Sequence, residues 1–523
     1  MRLLRTAGLL AAWAASLAAA GEPPGAGYEE DRELRIEVDG RPVPVLALRL
    51  SQPSAPAPIA SRHARFPAAA GARVELRAAA GPVVRAELRG VRTAVPGTLA
   101  AGRAEFVLPG PGCYYLRFAT PGAPDRFLVL LAEAPEPARP DLPPARIIDV
   151  VARGVRPDPA RPATADLQRL LDEAAARADG TTVHFPPGVY RSGPLRIGTR
   201  TGMHLARGAV LRAVDDPAAF TDHFLLVADA HDVRLSGAGT IDGHARSLRA
   251  RRPEVTRGLH GLVIRDSADV TVEGLLLRDV CDWNIHVLRS ARVNVRGVKL
   301  LAHKDGLAVD GSSDVRFTDG FVQSTDDAVL VCARDPVPAE RVVVRGLLLH
   351  CRGAALKVGS LTRGPIRDIR FEDCEAFDTD RGLAVETRDP EARLERIAWR
   401  RLRLGLAASE PGGGVLLRLT PVEGGGDFRL RDCVIEDVDA EVAHAAVIAG
   451  TAAAPLSGLA LRDIRLAVLP PAGGRPPLFA LRHVDRLPVA GLRVDWRGHR
   501  ADWAGLAGGA GLEFVAGMPV ETP

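Results

Sequence analysis

The chain has 523 residues, with 68 basic and 64 acidic side chains and a formal charge of +4. That length exceeds one ordinary core and asks for two to four domains or a repeat architecture. Charges of both signs are intermixed, which leaves no electrostatic footprint for nucleic acid and excludes that class of partner.

The N-terminus, MRLLRTAGLLAAWAASLAAAGEPPG, puts two arginines ahead of an apolar stretch and Ala18, Ala19 and Ala20 before Gly21. Basic region, hydrophobic region and small-residue site in that order predict a signal peptide over residues 1–20, with an uncleaved signal anchor as the bland alternative. No later run is long and apolar enough to span a bilayer, so the mature chain is expected to be secreted or periplasmic, with no membrane partner. Export permits disulfides, yet six cysteines in this length are no dense framework and none forms a CxxC pair. Cys374 and Cys433 fall where the repeat otherwise has Leu347 and Leu402, so they read as buried thiols, and no zinc is implied.

Residues 28–135 alternate in short runs such as LRIEVDG, VELRAAA and CYYLRFA between Gly and Pro, which predicts a small β-sandwich of about seven strands. APEPARPDLPPAR follows, and its prolines mark a stiff linker over residues 136–145. One amphipathic helix comes next, TADLQRLLDEAAARADG, with Thr164 as N-cap, Leu167, Leu170, Leu171, Ala174 and Ala178 on one face and Gly180 as the stop. It is placed to cap an open sheet end.

Beyond residue 183 the chain repeats itself: DVTVEGLLLRD at 269, RVNVRGVKLL at 292, DVRFTDGFVQS at 314, RVVVRGLLLHC at 341 and DIRFEDCEAFD at 368. A period in the twenties is too short for a βαβ unit and lacks the consensus of leucine-rich repeats. It predicts an all-β fold, a right-handed parallel β-helix over residues 146–500 with an N-terminal helical cap, followed by a tail, residues 501–523, in which no motif is legible. Equivalent residues then stack at about 4.8 Å. Aligning DWNIHVL, KDGLAVD, DDAVLVC, GAALKVG and DRGLAVE puts Ile285/Val287, Leu307/Val309, Val329/Val331, Leu356/Val358 and Leu383/Val385 inward, all apolar.

The same alignment brings Asp305 beside the pair Asp326 and Asp327 at a strand edge. An acidic pair alone is most simply a solvated turn. Three carboxylates from adjoining coils repel one another, and so costly a placement favours a functional site. One carboxyl kept protonated by its neighbours can donate to a leaving oxygen while the others activate water, which is the chemistry of glycosidic bond hydrolysis. Side chains that diverge from Asp305 and Asp326 would reach the roughly 6.5–9.5 Å of an inverting enzyme, although the sequence leaves the closer retaining distance open.

GAGTIDGHA (237–245), HKDGLAVD (303–310) and STDDAVLV (324–331) resemble the successive signatures of glycoside hydrolase family 28, the polygalacturonase and rhamnogalacturonase group of parallel β-helices. The resemblance covers about residues 146–440 and is to the divergent bacterial branch. It implies an O-glycosyl hydrolase of pectic or plant-type polysaccharide that inverts the anomeric centre. Asp326 would be the general acid, with Asp305 and Asp327 placing and activating the water. The N-terminal module is similar in pattern to the β-sandwich of some bacterial relatives and of family 49 dextranases.

Where the family's polygalacturonases carry Gly-His-Gly and Arg-Ile-Lys, this chain has Gly353-Ala354-Ala355 and Ala384-Val385-Glu386. The basic residues that hold the galacturonate carboxylate are therefore missing. Lys357, Arg381, Glu386 and Arg388 stand nearby, and either Lys357 restores the positive charge or a neutral sugar is taken. Trp283 is placed to stack on a sugar or to pack; His286, His303 and Lys304 complete the expected substrate contacts. No cofactor or metal is expected, and the enzyme is expected to act as a monomer. Two rivals remain: a Ca²⁺-dependent polysaccharide lyase with Lys304 or Lys357 as base, and a non-catalytic carbohydrate-binding β-helix.

Overall fold

A computed structural model describes residues 29–52, 58–135, 140–177, 179–252, 257–389, 392–407, 413–421, 428–444, 446–471 and 474–514. The expected signal peptide, the first part of the proline-rich linker and Ala178 lie outside the described residues.

Strands from Glu29–Glu30 to Arg126–Glu133 form two facing sheets of seven and five strands. Alternation drives the packing: in Leu34–Val38 the first, third and fifth side chains are buried and those between are not. Among the described residues twelve strands replace the expected seven, because pieces such as Arg41–Val43 and Thr93–Val95 are too short to show a period of two.

The remainder is a right-handed parallel β-helix running from Ile147–Asp149 to Leu512–Phe514. Each coil gives one strand to a 12-stranded sheet and, along most of its length, two to a 25-stranded sheet that folds round the other faces. Inward residues stack into continuous columns. One holds Val270, Val293, Val315, Val342, Ile369 and Ile397, all buried, and Cys433 extends it. Cys433 thus sits with Ile397 rather than in the Leu347, Cys374 and Leu402 column expected for it. All six cysteines are free, five of them buried.

The residue before each of these columns turns the corner in the left-handed region, and there the sequence alternates Asp269, Arg292, Asp314, Arg341, Asp368, Arg396 and Asp432, with φ between 51 and 59°. Asp tolerates this conformation better than most residues. Each Arg reaches the Asp one coil before it: Arg292 to Asp269 at 2.7 Å, Arg341 to Asp314 at 2.9 Å and Arg396 to Asp368 at 2.6 Å.

Helix Thr164–Arg177 buries Leu167, Leu170, Leu171 and Ala174 against the first coils. Thr164 is not its N-cap: Leu167 N–H bonds to the Ala163 carbonyl, and the Thr164 hydroxyl accepts from Gly193 N–H at 2.7 Å. Two segments depart from expectation. Ala245–Arg251 is a short helix, and the C-terminal segment is no loose tail, since Gly505–Gly508 and Leu512–Phe514 add strands to the two helix sheets.

The sandwich lies directly against the coils. Leu48, Leu50, Tyr115, Val129 and Leu131 pack on Leu276, Leu301, Phe321, Leu348 and Phe377. Beside this apolar contact, buried Glu133 takes Arg65 at 2.9 Å, Lys299 at 2.5 Å and Arg207 at 2.7 Å. Burial opposes its ionisation, but the three cations outweigh that and hold its carboxyl down at about 2. Glu133→Gln strands those cations and is expected to lower the unfolding free energy by about 3–5 kcal/mol in urea titrations at neutral pH. No loss would show that the network is not a tie between the two units.

Candidate active site

Six parallel strands of the 12-stranded sheet build the site: β1 (Ile285–Leu288), β2 (Leu307–Asp310), β3 (Val329–Ala333), β4 (Ala354–Thr362), β5 (Arg381–Thr387) and β6 (Val415–Pro421). Their register pairs Ile285, Leu307, Val329, Leu356, Leu383 and Leu417 in one inward column and Val287, Val309, Val331, Val358 and Val385 in another, as the alignment expects. Outward they present His286, Ala308, Leu330, Lys357, Ala384 and Arg418.

Asp305 and the Asp326–Asp327 pair sit just ahead of β2 and β3. One carboxylate oxygen from each lies within 4.8 Å of the other two. The side chains therefore converge instead of diverging to the wider separation expected from sequence. Asp327 N–H donates to Asp305 Oδ1 at 3.2 Å, tying the two coils together through the site itself. On the next coil, Ala354 N–H donates to Asp327 Oδ1 at 2.9 Å and Lys357 Nζ to Oδ2 at 2.8 Å. Gly353 permits this approach: a Cβ there would stand 2.4 Å from the Asp326 carbonyl carbon.

These contacts give the three acids different protonation preferences. Asp305 is buried and faces Asp326 and Asp327, and burial first, then those charges, push its carboxyl well above the ordinary range. Burial and Asp327 push Asp326 up to about 6. Asp327 is buried too, but Lys357 and then Arg381 outweigh burial and hold it below the ordinary value. Asp326 is the most exposed of the three. The set thus offers an accessible proton donor beside a fixed carboxylate.

Lys357 is engaged on both sides, by Asp327 and by Glu386 at 3.1 Å. Burial opposes its charge, yet Asp327 and Glu386 raise its pKa above the ordinary lysine value. Glu386 also takes Arg381 and Arg418, each at 3.3 Å. Arg388 is exposed and makes no ion pair with this group among the described residues. Lys304 pairs with Asp282 at 3.0 Å, to one side of the acids.

Three expected sugar contacts are placed otherwise. His303 is fully buried, its Nε2 2.7 Å from Asp279 and its Nδ1 3.0 Å from the Ser51 amide, so it pins a sandwich loop to the coil. Trp283 is 8% exposed, stacked on His260 at 5.0 Å with the Arg334 guanidinium 4.9 Å over its ring, which makes it a packing residue. His286 is buried edge-on to Trp283, with Arg334 at 3.1 Å and Asp310 at 3.5 Å. Two neighbours were not read from sequence. Arg334 carries no pattern of its own, and Gln52 enters from the sandwich, its Nε2 3.5 Å from Asp326 Oδ2. A cavity of about 860 Å³ lies away from the acids, between sandwich and coils, and is lined by Tyr115, Phe127, Phe377 and arginines. Of these, Arg403 and Arg465 are paired with Glu375 and Asp437.

No protein-family profile matches the chain. A probable polygalacturonase of Vitis vinifera is 26% identical over 250 residues, covering 40% of this chain and 50% of the relative. The exopolygalacturonase of Thermotoga maritima superposes with a TM-score of 0.54 at 17% identity, over 68% of this chain and 94% of that one. The chain is thus similar to polygalacturonases over part of its length and shares the β-helix fold of the solved one. Dex49A from Penicillium minioluteum is similar over both units, with a TM-score of 0.54 at 10% identity across 95% of this chain and 96% of its own. At these identities the solved structures show the fold alone, and the chain spans about half the length of the curated relatives it matches. Among the described residues no helix is long and apolar enough to cross a membrane.

Because the folded-state pKa of Asp326 is raised from 3.8 to about 6, its ionisation destabilises the fold increasingly as pH rises through that interval. Asp326→Asn is therefore expected to add up to about 3 kcal/mol to the unfolding free energy at pH 8 and little at pH 4. Urea titrations at the two pH values check this; an equal effect at both would remove Asp326 from the acidic cluster.

Proposed function

We propose that the protein is an exported glycoside hydrolase acting, as a monomer, on a pectic or related plant polysaccharide or oligosaccharide. The observation that carries the reading is the split among three converging carboxyls, with Asp327 held ionised by Lys357 while Asp326, beside it and more exposed, is raised to about 6. Asp326 donates its proton to the leaving glycosidic oxygen. Asp327 accepts a proton from water, and Asp305 helps to place that water. The likeness to polygalacturonases supports the substrate class, and the basic and apolar order of residues 1–20 supports export.

Inversion is the stereochemistry this arrangement favours, despite the short separation of the acids. Both oxygens of Asp327 are already committed, to Ala354 N–H and to Lys357, which leaves it better suited to polarising water than to attacking an anomeric carbon. Asp305 is disposed to be protonated and is a poor nucleophile. The lyase rival loses its base: Lys357 is held protonated between two carboxylates, and Lys304 is paired with Asp282.

Asp326→Asn is expected to lower kcat about 10²–10⁴-fold. In the parent enzyme kcat/KM should fall as pH rises through about 6, the pH at which Asp326 loses its proton. Reducing-end assays and the anomer first seen by proton NMR check the reaction. Products absorbing in the ultraviolet would assign elimination instead, and unchanged turnover in Asp326→Asn would remove the acid. Binding without turnover in the parent protein would assign a carbohydrate-binding role.

A further inference from the structure

We infer that the sugar unit seated against Asp326 and Asp327 is neutral, and that Glu386 is the residue that disfavours a uronate there. The inference rests on the hydrolase reading above and names its substrate class more narrowly.

A uronate subsite needs a cation with charge to spare, best an Arg or Lys that can turn its donors to the carboxylate. None of the cations beside the acids meets that need. Lys357 is 7% exposed, and its ammonium lies between Asp327 and Glu386 at 2.8 and 3.1 Å. Were it to turn to a substrate carboxylate it would release Asp327, the one acid of the three that is held ionised, and the water would lose its base. Arg381 is held by Glu386 at 3.3 Å and faces Asp327 and Asp326. On the other side Lys304 is taken by Asp282 at 3.0 Å and Arg334 by Asp310 at 2.5 Å.

Arg418 is half-exposed and also reaches Glu386, but it lies on β6, three coils beyond β3. Its backbone is thus about 14 Å along the axis from the acids, and the guanidinium that reaches back toward them is engaged by Glu386. Arg388 follows the last residue of β5, at the opposite strand end from the acids, which lie just ahead of β2 and β3. A carboxylate at the central position would therefore meet Glu386 and Asp327 with no free donor, and like charges at that range discriminate strongly. A sugar with a primary alcohol or methyl group in place of the carboxylate meets no such opposition. Glu386 thus serves two purposes: it completes the clamp that keeps Lys357 on Asp327, and it closes the position to anions.

The test pairs polygalacturonate with the same polymer after its carboxyls are reduced to primary alcohols, alongside further neutral and uronic plant oligosaccharides. Reducing ends report cleavage, and titration calorimetry on Asp326→Asn reports binding. The purified protein is expected to cleave neutral units with kcat/KM at least ten-fold above uronic ones, and Glu386→Gln should narrow that ratio by relieving the charged substrates. Preference for uronic units in the parent protein overturns the inference while leaving the hydrolase reading intact, provided Asp326→Asn abolishes that turnover. A ratio unmoved in folded Glu386→Gln removes Glu386 as the discriminating residue and overturns the inference. The parent ratio needs no variant, so a Glu386→Gln that fails to fold leaves the first comparison decisive. Neither cleavage nor binding in either set overturns both readings.

Discussion

The register of one coil on the next governs this molecule. Each coil buries its inward face only against its neighbours, so Leu307 must lie under Val329 and Val329 under Leu356 for any of them to leave water. A slip of one residue would turn every inward side chain outward. With the register fixed, Asp305 and Asp327 cannot avoid each other, and the mutual repulsion becomes a property of the fold rather than of any local choice. The apolar columns supply the free energy that holds the acids together, and hydrogen bonds between adjoining coils, such as Asp327 N–H to Asp305, keep them aligned.

Repulsion forced in this way is resolved unequally. Lys357 stands one coil beyond Asp327 and hydrogen-bonds it directly, while Asp326 has only the more distant charges of Lys357 and Arg381 and the weak approach of Gln52. A single asymmetrically placed ammonium therefore gives three similar side chains unequal protonation preferences. The sandwich takes part as well. Its loop reaches the site through Ser51 on His303 and Gln52 on Asp326, and the apolar and ionic contacts around Phe377 and Glu133 keep that loop in place.

What could be read from the residues alone follows from how far each signal extends. The parallel β-helix was legible because its period recurs many times, and the acids because two short stretches align in that period. Strand pairs of three residues were not, since alternation over so few positions carries no information. Trp283 and His303 read from sequence as open to a sugar because coil alignment tells which way a side chain points but not what lies over it. Arg334 and His260 cover the first, and a loop about 250 residues earlier covers the second. Gln52 escaped for the same reason. Lys357 was correctly placed on the outward face, yet its commitment to Glu386 depends on side-chain reach across a coil, which no spacing rule expresses. The C-terminal strands, rich in Gly and Ala, join their sheets through backbone pairing and so leave little mark in composition.

The corner column that alternates Asp269, Arg292, Asp314, Arg341, Asp368, Arg396 and Asp432 imposes a parity on the architecture. Removing or duplicating one coil within it would set Asp on Asp or Arg on Arg at the outer edge, whereas removing or duplicating two restores opposite neighbours. The natural quantum of growth for this stretch is therefore a doublet of coils, about twice the short repeat visible in the sequence. Lengthening the solenoid by such doublets would extend its outer wall without disturbing the charge order of its spine.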